Sequence, residues 1–309
     1  MSENITNIKA RRRETVFPRS DPATQSLAPK RLLLGTEASG YLQKPQKLRR
    51  MIPVGTPHTL STEGNPWNRY QRSFNLPQAG HGILVHKKSI PFDERIFKKI
   101  EVKDKSWLSK LRPVSHKNIV TLHEAMYHEG VINIFYEVMD VSLRQIFRTP
   151  IGALSQLEVA AFCKEILEGL DYIHSHLELV HGELSSECVL LSTRPPALKI
   201  ANIATSMLRE TTSGAVQSDL ESLGQIIVEC LEPGTASRHG NTLVLNNWDT
   251  VLREFQALTK SKTVKELLKH EFLRRSSGPS CLRRYVRAAR ESAPKDIEIP
   301  PEWVTDKSS

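Results

Sequence analysis

Two side chains stand out for the chemistry their surroundings would let them do. Glu183, in the string Leu179-Val180-His181-Gly182-Glu183-Leu184, carries a carboxylate, a group that can accept a proton. Lys98, in Arg95-Ile96-Phe97-Lys98, puts an ammonium group in a β-prone run. A solvated strand lysine is an equally good reading there, and Lys99 is the one-residue alternative. Sulfur chemistry is not indicated: Cys163, Cys188, Cys230 and Cys281 lie far apart with no Cys-x-x-Cys pair, so a reduced compartment, cytoplasmic or nuclear, is expected. The cluster Arg11-Arg12-Arg13 reads as a nuclear-import or phosphate-binding patch or, more plainly, as part of a solvated tail.

These residues sit in a chain whose pattern changes twice. From Met1 to about Asn65 it is rich in Pro, Ser, Thr and Arg, with Leu32-Leu33-Leu34 its only apolar cluster. Such a stretch cannot bury enough surface to offset the entropy of ordering, so residues 1–66 are expected to be a disordered basic tail. Over 67–139, short β-prone runs at 83–85, 95–100, 119–126 and 131–138 are separated by the turns Pro91-Phe92-Asp93-Glu94 and His128-Glu129-Gly130, a pattern of antiparallel hairpins. One short helical segment at 105–111 stops before Pro113. From 140 to 278 the pattern is helical. Ser155 and Glu158 have capping-box spacing, and Val159, Phe162, Cys163, Ile166, Leu170 and Ile173 then form one apolar face. Further helices are expected at 219–231 and 263–270, and residues 279–309 form a C-terminal tail.

The formal charge of +9 suggests a nucleic-acid or acidic-membrane partner only until its distribution is seen. Residues 1–60 hold 11 Lys/Arg against 4 acids, leaving 32 against 30 for everything after them. The folded part is nearly neutral, and no apolar run is long enough to span a membrane. No apolar stretch follows a basic start at the N-terminus, so no secretory signal is expected.

Six strings in order carry a resemblance. His116-Lys117-Asn118-Ile119-Val120 looks like the segment that leads into the fourth strand of a protein kinase, and Ile134-Phe135-Tyr136-Glu137-Val138-Met139-Asp140 like the fifth strand and hinge, with Tyr136 at the gatekeeper position. Leu179-Val180-His181-Gly182-Glu183-Leu184 resembles the catalytic loop, and Leu198-Lys199-Ile200-Ala201-Asn202 the strand running into Asp-Phe-Gly. Ser218-Asp219-Leu220 is similar to the start of the large-lobe central helix, and the string from Thr263 to Leu273 to the family's closing helix. The chain is identified as a member of the protein kinase superfamily over roughly residues 70–275. The resemblance implies an α+β, bilobal fold with a small antiparallel N-lobe and a mainly helical C-lobe.

The same resemblance shows which parts have changed. Kinases hold ATP, neutralise its charge with metal and orient the accepting hydroxyl. Lys98 stands where the family has its phosphate-pairing lysine, and Gly82 aligns with the last glycine of the phosphate loop, which leaves Pro77 and Ala79 at the first two. Gly80 lies near enough that a shifted register would restore part of the loop. Ile96 fills a slot usually held by alanine beneath adenine, and Glu137 and Met139 would offer the hinge groups. Trp107 falls where the lysine's glutamate partner belongs, with Glu101 or Asp104 as substitutes. Glu183 replaces the base Asp, Gly182 the Arg, Ser185 the Lys, Cys188 the metal-binding Asn and Asn202 the acid of Asp-Phe-Gly. A hard cation prefers carboxylate oxygen to a thiol, so no magnesium site and weak or absent ATP binding are expected.

Only 17 positions separate Asn202 from Asp219, so the peptide-substrate platform is expected to be missing, and Ser261 stands where an Arg would anchor it. The function that follows is that of a pseudokinase, a binding, scaffold or regulatory module for an unidentified protein partner. Lys98, Gly82, Glu137, Met139, Glu183, Cys188 and Asn202 are the vestiges of its nucleotide cleft. One alternative is a weakly active or atypical kinase using Lys98 and Glu183. The other is a nucleic-acid-associated protein whose tail, through Arg11-Arg12-Arg13 and residues 44–50, touches phosphates.

Overall fold

The computed structural model of the chain describes residues 60–76, 79–151, 154–209, 216–239, 242–245 and 247–292, all within one unit that begins at Gly55. The basic segments at 11–13 and 44–50, Pro77, and residues 297–303 lie outside the described residues.

Alternating apolar positions build the N-lobe sheet. Its strands are β1 (Ser61–Glu63), β2 (Tyr70–Leu76), β3 (Gly82–Lys87), β4 (Glu94–Glu101), β5 (Leu122–His128) and β6 (Val131–Tyr136), in spatial order β1-β5-β6-β4-β3-β2. Every pairing is antiparallel except β1, which runs parallel to β5 with Ser61 opposite Ala125. Strand β1 corrects the reading of residues 1–66 as tail: the sheet edge begins inside that segment, too short to show a period. Leu84, Ile96 and Ile134 face the main core, while Val85, Phe97 and Phe135 face a second cluster covered by Trp67 and Tyr70. Tyr70 stacks on Phe135 with ring centroids 4.0 Å apart. The helical segment expected at 105–111 is a 3-10 turn, Lys105–Lys110, which Asp104 caps by accepting the Ser106 amide at 2.7 Å.

The C-lobe follows the hinge. A two-residue strand β7 (Val141–Ser142) runs into α1 (Leu143–Phe147), then α2 (Gln156–Ser175), strands β8 (Val189–Thr193) and β9 (Pro196–Ile200), α3 (Ile203–Leu208), α4 (Val216–Leu231), α5 (Pro233–His239), α6 (Thr250–Leu258), α7 (Val264–Leu267) and α8 (Arg283–Ser292). The predicted apolar face of α2 is fully buried at Val159, Phe162, Cys163, Ile166, Leu170 and Ile173. Glu158 accepts the Ser155 amide at 2.7 Å, as its capping-box spacing predicts. It also takes the Tyr285 hydroxyl at 3.0 Å and the Arg284 guanidinium at 2.7 Å. Those bonds, with Leu282, Tyr285, Val286 and Ala289 buried, tie α8 to the lobe, so residues 279–292 belong to the core and not to a tail.

Helices α4 and α6 cross closely at Gly224, where an added Cβ would collide with the Thr259 hydroxyl and sit 3.4 Å from the Gln256 amide. Gly224→Val should therefore cost about 2 kcal/mol through overpacking, read as a lower urea midpoint at unchanged slope.

Candidate functional site: the cleft between the lobes

The register of β4 decides between the two candidate lysines. Ile96, Lys98 and Ile100 share the face that meets the main core, and Lys98 lies opposite Ile134, whereas Lys99 lies opposite Asn133 on the other face. Lys98 therefore points into the cleft, and its ammonium group meets no carboxylate within ion-pair reach among the described residues. It donates to the Oδ1 of Asn202 at 2.8 Å and to the backbone carbonyl of Ala79. Burial pulls its pKa down to about 8.

Asn202 holds the other side of this knot. Residing just before α3 with a left-handed φ of +64°, it turns its side chain back toward the N-lobe. Its Nδ2 donates to the Ala79 carbonyl at 3.2 Å and to Cys188 Sγ at 3.5 Å. Ala79, which lies between β2 and β3, is buried with φ +50° and delivers its carbonyl to both partners. Cys188 is buried too, and burial pushes its thiol above the usual range. Gly82, by contrast, is the first residue of β3, opposite Leu76 in the ladder.

The string around Glu183 is held from behind. His181 is buried, and its Nε2 donates to the Ala201 carbonyl at 2.8 Å while Nδ1 accepts the Glu183 amide at 3.4 Å, the pattern of a neutral ring. Burial lowers its pKa, which favours that form. The Glu183 carboxylate pairs with Arg209, just after α3. The residue before Glu183, Gly182, has φ +73°, a conformation that side chains rarely adopt, and the Arg209 guanidinium lies against its open face. Arg209 had no place in the sequence reading, which assigned Gly182 to the position of the family's catalytic-loop Arg and named no partner for Glu183.

The hinge residues do structural work. Glu137 Oε1 accepts both the Thr121 amide and the Lys199 ammonium at 2.6 Å. Burial pushes its carboxyl up, but those hydrogen bonds outweigh burial and hold it below the usual range. Met139 is buried in the main core. Tyr136 is buried with its hydroxyl accepting the Ala204 amide at 3.2 Å, so this side chain bridges the hinge to α3. Trp107, placed at the position of the lysine's partner, lies on the 3-10 turn with the Lys110 ammonium 3.9 Å above its ring. Asp104 spends its carboxylate on capping that turn, and Glu101 ends β4 opposite Val131.

The structure thus brings Lys98, Asn202, Cys188 and the Ala79 backbone into contact, sets Glu183 against Arg209, and leaves Glu137 and Met139 as packing and pairing groups. In the same loop, buried Asp219 accepts the amides of His181 and Gly182 at 2.8 Å each. Among the described residues no helix is long and apolar enough to cross a membrane.

Comparison with known sequences agrees with this arrangement. The family described as protein kinase domain matches residues 87–222, from the end of β3 into α4. Over 144 residues the chain is 30% identical to protein kinase domain-containing protein ppk2 of Schizosaccharomyces pombe, covering 40% of this chain and 21% of that protein. It is 25% identical over 134 residues to mitogen-activated protein kinase kinase 1 of Arabidopsis thaliana, covering 36% and 38%, and 33% identical over 94 residues to mitogen-activated protein kinase kinase kinase 15 of Mus musculus, covering 30% and 7%. The matched region thus spans well under half the length of each of these relatives. Sheet, hinge, loop held by an aspartate at the head of α4 and family match all agree: the region matched, residues 87–222, belongs to the protein kinase superfamily.

Proposed function

We propose that this kinase-fold domain is a pseudokinase that works by binding a protein partner and not by transferring phosphate. The observation that carries the reading is the bonding of Lys98: the cation that would grip phosphate is already held by Asn202 and by the chain's own Ala79 carbonyl. A nucleotide would have to displace both.

The donor set points the same way. The fold family implies magnesium, and the two positions that would hold it carry a buried thiol and an amide whose oxygen is engaged by Lys98. Neither is the carboxylate that a hard cation needs, and among the described residues no group of three His, Cys, Asp or Glu is placed to hold a metal. The magnesium of this family does not fit these residues, and one oxygen of the Glu183 carboxylate is taken by Arg209. Four free cysteines suit a reducing compartment, cytoplasm or nucleus.

A thermal-shift titration with ATP, with and without magnesium, tests the proposal. A site with a Kd of about 100 μM would raise the Tm by about 3–5 °C at ~1 mM ATP. The expected shift is below about 1 °C in both conditions. Larger metal-dependent stabilisation, together with transfer from labelled ATP that disappears in Glu183→Ala and Lys98→Met, would establish instead an atypical kinase built on those two residues.

A further inference from the structure

Outside the cleft, a strongly charged groove of about 900 Å³ lies between the residues after β6, the turn from β8 to β9, and α8. Its lining holds four arginines, Arg194 from the turn and Arg283, Arg287 and Arg290 from the helix, against two acids, Asp140 and Glu291. Among the described residues Val138 is its one apolar side chain. A lining this polar is a poor fit for a hydrophobic small molecule, which needs a mostly apolar wall.

The elements that carry the arginines are held in place. Positions 283, 287 and 290 fall on one stripe of α8, whose other side buries Tyr285, Val286 and Ala289 and is tied to Glu158. The facing turn is pinned by Asp140, whose Oδ2 accepts the Thr193 amide at 2.8 Å and its hydroxyl at 2.9 Å. Two of the four charges are answered within the groove: Arg287 pairs with Glu291 at 2.9 Å and Arg290 with Asp140 at 3.3 Å. Arg283 reaches only the Thr193 carbonyl, at 3.4 Å, and among the described residues no carboxylate comes within ion-pair distance of Arg194 or Arg283. The groove is left with an excess of two positive charges on guanidinium groups from opposite walls.

We infer that this groove is a recognition site for a phosphorylated peptide, with Arg194 and Arg283 as the phosphate ligands. A phosphomonoester carries close to two negative charges and three acceptor oxygens, matching the charge excess and the planar donor forks that face it. A single carboxylate would satisfy half of that charge. The groove opens to solvent, so a phosphorylated side chain of a peptide can reach its arginines without any opening of the fold. No residue of its lining belongs to the Lys98, Asn202, Cys188 and Ala79 knot, so the site would serve an active or an inactive domain equally and is tested separately from the reading of the cleft.

The test is fluorescence polarisation of the full chain with a labelled pool of short peptides centred on phosphoserine, against the same pool unphosphorylated and with inorganic phosphate as competitor. The phosphorylated pool should bind at least about ten-fold more tightly than the unphosphorylated one and than inorganic phosphate, and Arg194→Ala with Arg283→Ala should abolish that preference. Both side chains are exposed, so the double variant should unfold at the wild-type temperature. Absence of a preference, a preference that survives the double variant, or inorganic phosphate competing as tightly as the peptide would each overturn the assignment.

Discussion

Asp219→Ala should remove about 3–5 kcal/mol of stability, the largest effect of any single side chain described above. The carboxylate is wholly buried, and its two oxygens accept the amides of His181 and Gly182 and face the Nε2 of His174, all at 2.8 Å. Truncation leaves two backbone donors and one ring nitrogen in a dry site, and each unsatisfied donor costs about 1–3 kcal/mol. Asp219→Asn keeps the shape but turns an NH₂ toward one of those donors, so it should recover only part of the loss. Urea unfolding of the three proteins checks the order. A loss under about 1 kcal/mol for the alanine variant would mean that the loop does not depend on this anchor. Domains of this kind have about 5–15 kcal/mol in hand, so the variant is expected to express poorly.

The role of Asp219 is independent of catalysis, which explains why the loop keeps its kinase shape although its reactive residues are exchanged. The same amides must be satisfied whether or not phosphate is ever moved. The scaffold of the site was therefore readable in the sequence: the capping box at Ser155 and Glu158, the apolar period of α2 and the order of the six strings are local patterns that tertiary contacts reinforce. What escaped was set by contacts between distant residues. Strand β1 is three residues long and gains its place from pairing with β5, some sixty positions on. Helix α8 is strongly basic on its outside and reads as tail until Tyr285 and Arg284 are seen to reach Glu158. The Ala79 contact could not be read at all, because the accepting group is a backbone carbonyl and every residue type carries one. Arg209 was hidden differently: its partner Glu183 was visible, but the two lie 26 positions apart and meet only in the fold.

The pH dependence of the Lys98 knot separates a closed cleft from an open one. In the folded protein burial lowers Lys98 to about 8 from its ordinary 10.5, and the unfolded chain returns it to that ordinary value. Below pH ~8 both states carry the proton, and the folded state bears the full cost of an ammonium group kept from water. Between about 8 and 10.5 the unfolded chain binds more protons than the folded one, so stability contributed by this group rises with pH. The gain across that window is at most about 3 kcal/mol, a ceiling because the Asn202 and Ala79 oxygens favour the charged form and oppose burial. Lys98→Met removes the group, so the difference in unfolding free energy between wild type and variant isolates it from every other residue titrating in that range. Relative to the variant, the wild type should gain stability steadily from pH 8 to 10. Parallel curves for the two proteins would show a lysine at its solvent value, hence a wet cleft with room for phosphate, and would contradict the closed arrangement on which the pseudokinase reading depends.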